Sequence, residues 1–183
     1  MEIVSCSNVT VVTRLIKKQI GAIFQGKLEM GPRALGNRSI IADPRMKDGK
    51  DRVNIVKNRE WYRPFACSIL EEHAREWFEM GRLDSSPWMS YAIPVKKNKW
   101  EKIPAVVHVD GTCRLQTVNR EQNPFYYDLI NQFYKQTNIP LILNTSFNLA
   151  GEPIVFNPGR ALDVFTNSDL DFVYFPEVEK ILI

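Results

Sequence analysis

Short aliphatic runs, each closed by glycine, proline or a polar residue, constrain this chain more than any other feature. GAIFQG (residues 21–26), RSIIAD (38–43), RPFACSIL (63–70), IPLILNTSFN (139–148) and DFVYFP (171–176) have the length and composition of buried strands. WMSYAIPV (88–95), AVVHV (105–109) and CRLQTV (113–118) read the same way, the last two joined by a turn at Asp110-Gly111. Between these runs, apolar residues recur at helical spacing. The spacing predicts a helix capped by Asn8 and running through Lys18, with Val9, Val12, Leu15 and Ile16 on one face. A charged helix should follow Gly49 within 46–60. A short helix over 71–80 should turn Ala74, Trp77 and Phe78 inward. Asn123-Pro124 should open a helix with Phe125, Leu129, Ile130 and Phe133 on its apolar side. Asn157-Pro158 should open another, with Ala161, Leu162 and Phe165 inside. Residues 81–88 read as a loop, KKNKWEK (96–102) as a solvated charge run, and 151–153 as a turn. The alternation has no strict rhythm, and hairpin-like pairs interrupt it. That pattern belongs to an α/β (α+β) fold: a twisted mixed sheet with helices packed on it. At 183 residues, without repeats or linkers, 1–183 is read as one domain.

Charge and cysteine content narrow the function classes. A net charge of +3 is too weak to imply non-specific binding to nucleic acid, so any cationic function must come from local clustering. Cys6, Cys67 and Cys113 are far apart with no CxxC pair, which argues against a disulfide framework or a zinc site. His73 and His108 are the sole histidines, too few for a histidine-rich metal centre. The N-terminal residues lack the basic start and apolar run of a signal peptide, and no apolar stretch approaches ~18 residues. A cytoplasmic protein without a membrane span fits these features.

Four segments place polar groups beside strand ends. FQGKLEMGPRALGNRSIIADPR (24–45) gathers Lys27, Arg33, Arg38 and Arg45 around glycines, as a pocket for a multiply charged anion would. A glycine turn with surface arginines has the same spacing, and spacing alone favours it. KNREWYRPF (57–65) sets Lys57, Arg59 and Arg63 among aromatics. Aromatic neighbours strengthen a guanidinium–phosphate contact by lowering the dielectric, and they also suit single-stranded nucleic acid or simple snorkelling over the core. HVDGTCRLQTV (108–118) puts Arg114 inside an apolar strand pattern, as a ligand contact or on a solvent-facing edge. LNTSFNLAGEP (143–153) follows an aliphatic strand with Asn144, Thr145, Ser146 and Asn148. Ligands collect at such strand ends, and ordinary polar turns occur there too. Together the segments equip a site to neutralise a polyphosphate. Neither a Walker A loop nor a serine nucleophile elbow is present.

In the same order and over nearly the whole chain, FQGKLEMGPRALGNRSIIADPR, REWYRPFACSIL, HVDGTCRLQTV and LNTSFNLAGEPIV closely resemble the C-terminal domain of the O-carbamoyltransferases of nodulation-factor and antibiotic tailoring. The resemblance implies a threonylcarbamoyl-adenylate synthase-like fold, a twisted α/β sheet around a basic nucleotide cavity. It implies binding of ATP, with Mg²⁺, and of carbamoyl phosphate, and formation of carbamoyl-adenylate and pyrophosphate. A metal-binding, kinase-like N-terminal domain, absent from this chain, would pass the carbamoyl group to an acceptor hydroxyl. Residue by residue, Arg33 would contact phosphate, and Lys57 and Arg63 would hold carbamoyl phosphate and the triphosphate. Arg114 would neutralise leaving phosphate, and Ser146 and Asn148 would bind nucleotide phosphate or ribose, with Arg38 and Asn144 beside them. His108 is a candidate general base. The departures are Cys113 and Leu115 around Arg114, where the family resemblance implies a small residue and often proline. A non-catalytic nucleotide- or RNA-binding module of the same fold is the alternative.

Overall fold

The structure is a computed structural model, and it describes residues 1–29 and 31–183. Among the described residues, nine strands form one sheet: β1 (Ile3–Ser5), β2 (Gly21–Phe24), β3 (Arg38–Ala42), β4 (Ala66–Leu70), β5 (Ala92–Pro94), β6 (Thr112–Val118), β7 (Leu141–Ser146), β8 (Phe172–Phe175) and β9 (Lys180–Leu182). Their spatial order is β1-β9-β8-β2-β3-β7-β4-β6-β5. The pairs β2–β8 and β4–β6 are parallel and the others antiparallel, so the sheet is mixed. The helices are α1 (Asn8–Ile16), α2 (Gly49–Val56), α3 (Ala74–Trp77), α4 (Pro124–Thr137) and α5 (Pro158–Thr166). Helix α4 packs on β4, β7 and α1, and α5 on β8. Leu129, Ile130 and Phe133 of α4 are buried with the strand aliphatics Ile40, Ile41, Ile69, Leu141 and Leu143. Burying such side chains stabilises by about 1.5–3 kcal/mol each, which is what makes the short strands stable.

Several sequence expectations change here. The α1 cap is Ser7, whose Oγ accepts from the Thr10 N–H, and Val9 is exposed while Val11 is buried. In α4 the inward aromatic is Tyr126, not Phe125, because the i, i+3, i+4, i+7 stripe that ends in Leu129, Ile130 and Phe133 begins at residue 126. Leu162 and Phe165 of α5 are partly buried, and Val164 takes the innermost place with Ala161. Phe78 is buried through an antiparallel bridge to Val95 that lies beyond α3. The expected strand 105–109 does not form. The Ala105 N–H goes to the Pro44 carbonyl and the Val106 N–H to Ile103, leaving no strand partner. Residues 113–118 therefore do not return along a hairpin: β6 pairs with β4 and β5. The terminal strands β1 and β9, three residues each, escaped the sequence pattern and pair with each other. All three cysteines are free and buried, and the Cys113 and Cys67 sulfurs stand 3.4 Å apart. Among the described residues, no helix is long and apolar enough to cross a membrane.

Candidate active site

Register assembles the site. Asn144 of β7 lies opposite Ala66 of β4, and Ala66 lies opposite Arg114 of β6. Side chains alternate faces along a strand, so these three project together. Ala66 is the small one in the middle, and a cavity of about 350 Å³ opens above that row. Arg33, Arg59, Arg63, His108, Thr145 and Ser146 also line it. A second cavity, of about 610 Å³, adjoins it through the shared wall of Arg59, Arg63 and Ser146, and adds Lys57, Asn148 and Gly151.

The cations fall into two kinds. Arg33 donates to its neighbouring Pro32 carbonyl, and among the described residues no carboxylate pairs with it. Burial, and then the positive charge of Arg114, pull the Arg33 guanidinium below its ordinary value. The Arg114 guanidinium has no hydrogen-bond or ion-pair partner among the described residues. Two neighbouring guanidinium groups facing one cavity without an anion are destabilised until an anion arrives. Arg63 is half-exposed and pairs with Glu60 at 2.7 Å, a contact worth little in water and easily exchanged for a ligand.

The other cations are spent internally. The Lys57 ammonium donates to the carbonyls of Ser146 and Asn148 and to Asn148 Oδ1, which ties the end of α2 to the end of β7. Burial first, and Arg59 second, push Lys57 down to about 7. Three acceptors at once need three N–H groups, so the geometry holds the ammonium. Arg38 does not reach the cavity: it lies 3.7 Å over the Phe24 ring and donates to the carbonyls of Gln25, Gly26 and Asn37. Arg45 is held by Asp43, with Nη2 to Oδ2 at 2.6 Å, and Lys27 is exposed. Of the four basic residues in 24–45, Arg33 alone lines the site.

Pairing also decides the histidine. His108 Nε2 meets the Phe65 carbonyl at 2.9 Å, and a carbonyl can only accept, so this nitrogen carries a proton. Nδ1 is engaged by Thr112 Oγ1 at 3.2 Å. With both nitrogens occupied, His108 holds the wall in place and is poorly placed to act as a base. Asn144 donates from Nδ2 to Ala34 O, Ser68 Oγ and Gln116 Oε1, at 2.8–3.1 Å. Ser146 Oγ donates to Asn148 Oδ1 at 2.6 Å.

The 12–180 stretch matches the family profile described as the carbamoyltransferase C-terminus. The chain belongs to that carbamoyltransferase C-terminal family. Its relatives include the nodulation protein NolO of Bradyrhizobium diazoefficiens, 53% identical over 80% of this chain and 27% of that protein. Nodulation protein NolNO of Sinorhizobium fredii is 54% identical over 80% of this chain and 22% of that protein. Nodulation protein U of Rhizobium tropici is 41% identical over 82% of this chain and 26% of its own length. The chain therefore spans about a quarter of these carbamoyltransferase-family relatives. Among solved structures, full-length HypF in a phosphate- and nucleotide-bound form superposes with a TM-score of 0.61. At 17% identity, over 95% of this chain and 24% of HypF, it shares the fold.

Against the sequence-derived residues of this carbamoyltransferase domain, the structure brings Arg33, Arg63, Arg114, Asn144 and Ser146 to the first cavity, and Lys57 and Asn148 to the second. It leaves Arg38 outside both. Sequence reasoning named Arg59 with Lys57 and Arg63 but gave it no role at the site, and it lines both cavities. Its Nε donates to Asn54 Oδ1 at 2.7 Å and its guanidinium lies 4.4 Å from the Phe65 ring centre. Burial, with Arg63 adding repulsion, takes Arg59 down to about 10. Its two-residue offset from Lys57 was the available signal. Glu29 was also missed. One oxygen accepts from the N–H groups of Leu35 and Asn37 at 2.8 and 2.9 Å, and the other from Arg38 at 3.2 Å, folding the loop that carries Arg33. Burial raises Glu29 while these three bonds oppose the shift.

Gly36 lets that loop close. Its φ is +113°, and a Cβ there would overlap the Tyr126 ring. Gly36→Ala should cost about 2–3 kcal/mol through backbone strain and overpacking. A denaturant-melt midpoint unchanged from wild type would show that the loop adapts.

Proposed function

We propose that this domain binds ATP and carbamoyl phosphate and forms carbamoyl-adenylate, in the cytoplasm, for transfer to a hydroxyl by a separate, metal-binding N-terminal domain. One observation carries the reading: Arg33 and Arg114 face one cavity without a carboxylate, and a phosphoanion between them would relieve their repulsion. The two joined cavities match the two anionic substrates. Carbamoyl phosphate would lie above Ala66, between Arg33 and Arg114. The nucleotide triphosphate would lie along Arg59, Arg63, Ser146 and Asn148.

Hydrolysis of carbamoyl phosphate gives carbamate, phosphate and a proton. A carbamate oxygen then forms a bond to the α-phosphorus of ATP, and the bond from that phosphorus to the pyrophosphate oxygen breaks. The domain's residues supply positioning and charge stabilisation, with no covalent intermediate on the protein. Among the described residues no group of three or more His, Cys, Asp and Glu could hold a metal. Mg²⁺ fits as a companion of the nucleotide phosphates, where it would neutralise charge on the triphosphate. Ser146 and Asn148 are neutral oxygen-bearing side chains lining the second cavity, where they would face that ion's shell.

The test is release of pyrophosphate and phosphate by the purified chain with ATP, Mg²⁺ and carbamoyl phosphate, each omitted in turn. Pyrophosphate only in the complete mixture is the expected result. Tight, steeply salt-dependent RNA binding without pyrophosphate would favour the non-catalytic alternative.

A further inference from the structure

We infer that Gln116 is a positioning residue for the anion site, acting through Arg33, an inference that rests on the reading of the cavity just given. Gln116 lies on β6 two residues beyond Arg114, so both project from the same face of the sheet. It is 5% exposed and opposite Ser68 in register. Its Nε2 donates to the Leu35 carbonyl at 2.9 Å, and its Oε1 accepts from Ser68 Oγ at 2.6 Å and from Asn144 Nδ2 at 3.1 Å. The amide orientation is settled by the Leu35 carbonyl, which can only accept.

This bond has a counterpart. The Leu35 N–H is taken by Glu29, and the Ala34 carbonyl by Asn144. The backbone immediately after Arg33 is thus gripped from the strands below by two amides and from its own loop by a carboxylate. Among the described residues, the Arg33 side chain has no partner to hold it apart from the Pro32 carbonyl. Its aim into the cavity is therefore set by the backbone that carries it, and Gln116 is the link between that backbone and the strand that carries Arg114. One strand sets the separation of the two unpaired guanidinium groups.

The experiment is a double-mutant cycle read by calorimetric titration of the 183-residue chain with phosphonoacetamide, an unhydrolysable relative of carbamoyl phosphate. Gln116→Glu replaces the donor with an oxygen that repels the Leu35 carbonyl. It should weaken binding about tenfold when Arg33 is present and less than about twofold in an Arg33→Ala background. Equal losses in both backgrounds, or no loss with Arg33 present, would overturn the inference. Should Gln116→Glu fail to fold, Gln116→Met goes through the same cycle, because it removes the donor without burying a charge. Arg33→Ala with wild-type affinity would sink the reading of the cavity itself, and the role of Gln116 with it. That outcome is distinct from a failure confined to the Gln116 arm.

Discussion

Arg114→Gln is expected to lower affinity for carbamoyl phosphate analogues about 100-fold while leaving the melting temperature unchanged or higher. The two halves of this result have one cause. A bidentate guanidinium–phosphate contact contributes about 3 kcal/mol, and at 1.4 kcal/mol per factor of ten its loss is about two decades. Nothing comparable is lost in the free protein, since the Arg114 guanidinium donates to no acceptor among the described residues and repels Arg33. Arg45 is the internal control. It carries the same side chain but is bonded to Asp43 through Nε and Nη2, so Arg45→Gln should lower stability and leave binding alone. Arg114→Lys should recover little of the lost affinity, because an ammonium cannot reproduce the planar fork. Calorimetric titration and thermal melts of the three variants check the pattern. A melting temperature several degrees lower for Arg114→Gln, with binding within twofold of wild type, would make Arg114 structural.

How far the sequence carried the fold depends on where each element's instructions lie. The central strands were readable because aliphatic runs such as RSIIAD and IPLILN are buried on both faces, and local pattern and final environment agree. Residues 105–109 read as a strand on β-branched content alone, but strand formation needs a free neighbour, and β4 and β5 had already taken both edges of β6. β1 and β9 are too short to leave a pattern; β9 exists because it pairs with β8, and β1 because it pairs with β9. In the site, residue types were legible and allegiances were not. Arg33, Arg38, Lys57 and Arg114 are equally basic on the page. What separates them is which backbone carbonyls fold back onto them, and that is decided by contacts such as Lys57 with Asn148, far apart in sequence. Arg38 was placed with the ligand residues for its charge and its glycine neighbours, yet those glycine-rich turns supply the carbonyls that occupy it. Glu29 and Gln116 were invisible for the opposite reason: each looks like an ordinary polar residue until the loop at 31–37 closes over it.

Lys57→Met tests that distinction where it has the largest structural effect. If Lys57 holds substrate directly, its removal costs affinity and leaves stability alone. The observed contacts predict the reverse order of effects. Losing the ammonium strands the Asn148 carbonyl and takes one donor each from the Ser146 carbonyl and Asn148 Oδ1 in a part-buried setting, a type of change that costs about 2–5 kcal/mol. For a chain of this size that is a fall of roughly 5–15 °C in melting temperature. Burial pulls Lys57 toward about 7, and the oxygens around it keep the ammonium; of the three, the Asn148 carbonyl depends on Lys57 most, since Ser146 Oγ also donates to Asn148 Oδ1 and the Asn148 N–H to the Ser146 carbonyl. The loss should spread to binding as a consequence, since Ser146 lines both cavities and Asn148 the second. Saturating ATP should then restore part of the lost melting temperature, because a ligand that binds only the folded state stabilises it by mass action. A Lys57→Met protein that melts with wild type but no longer binds ATP would move Lys57 from the scaffold to the substrate. The tie between α2 and β7 would then have to rest on the backbone bond from Ala150 to the Lys57 carbonyl alone.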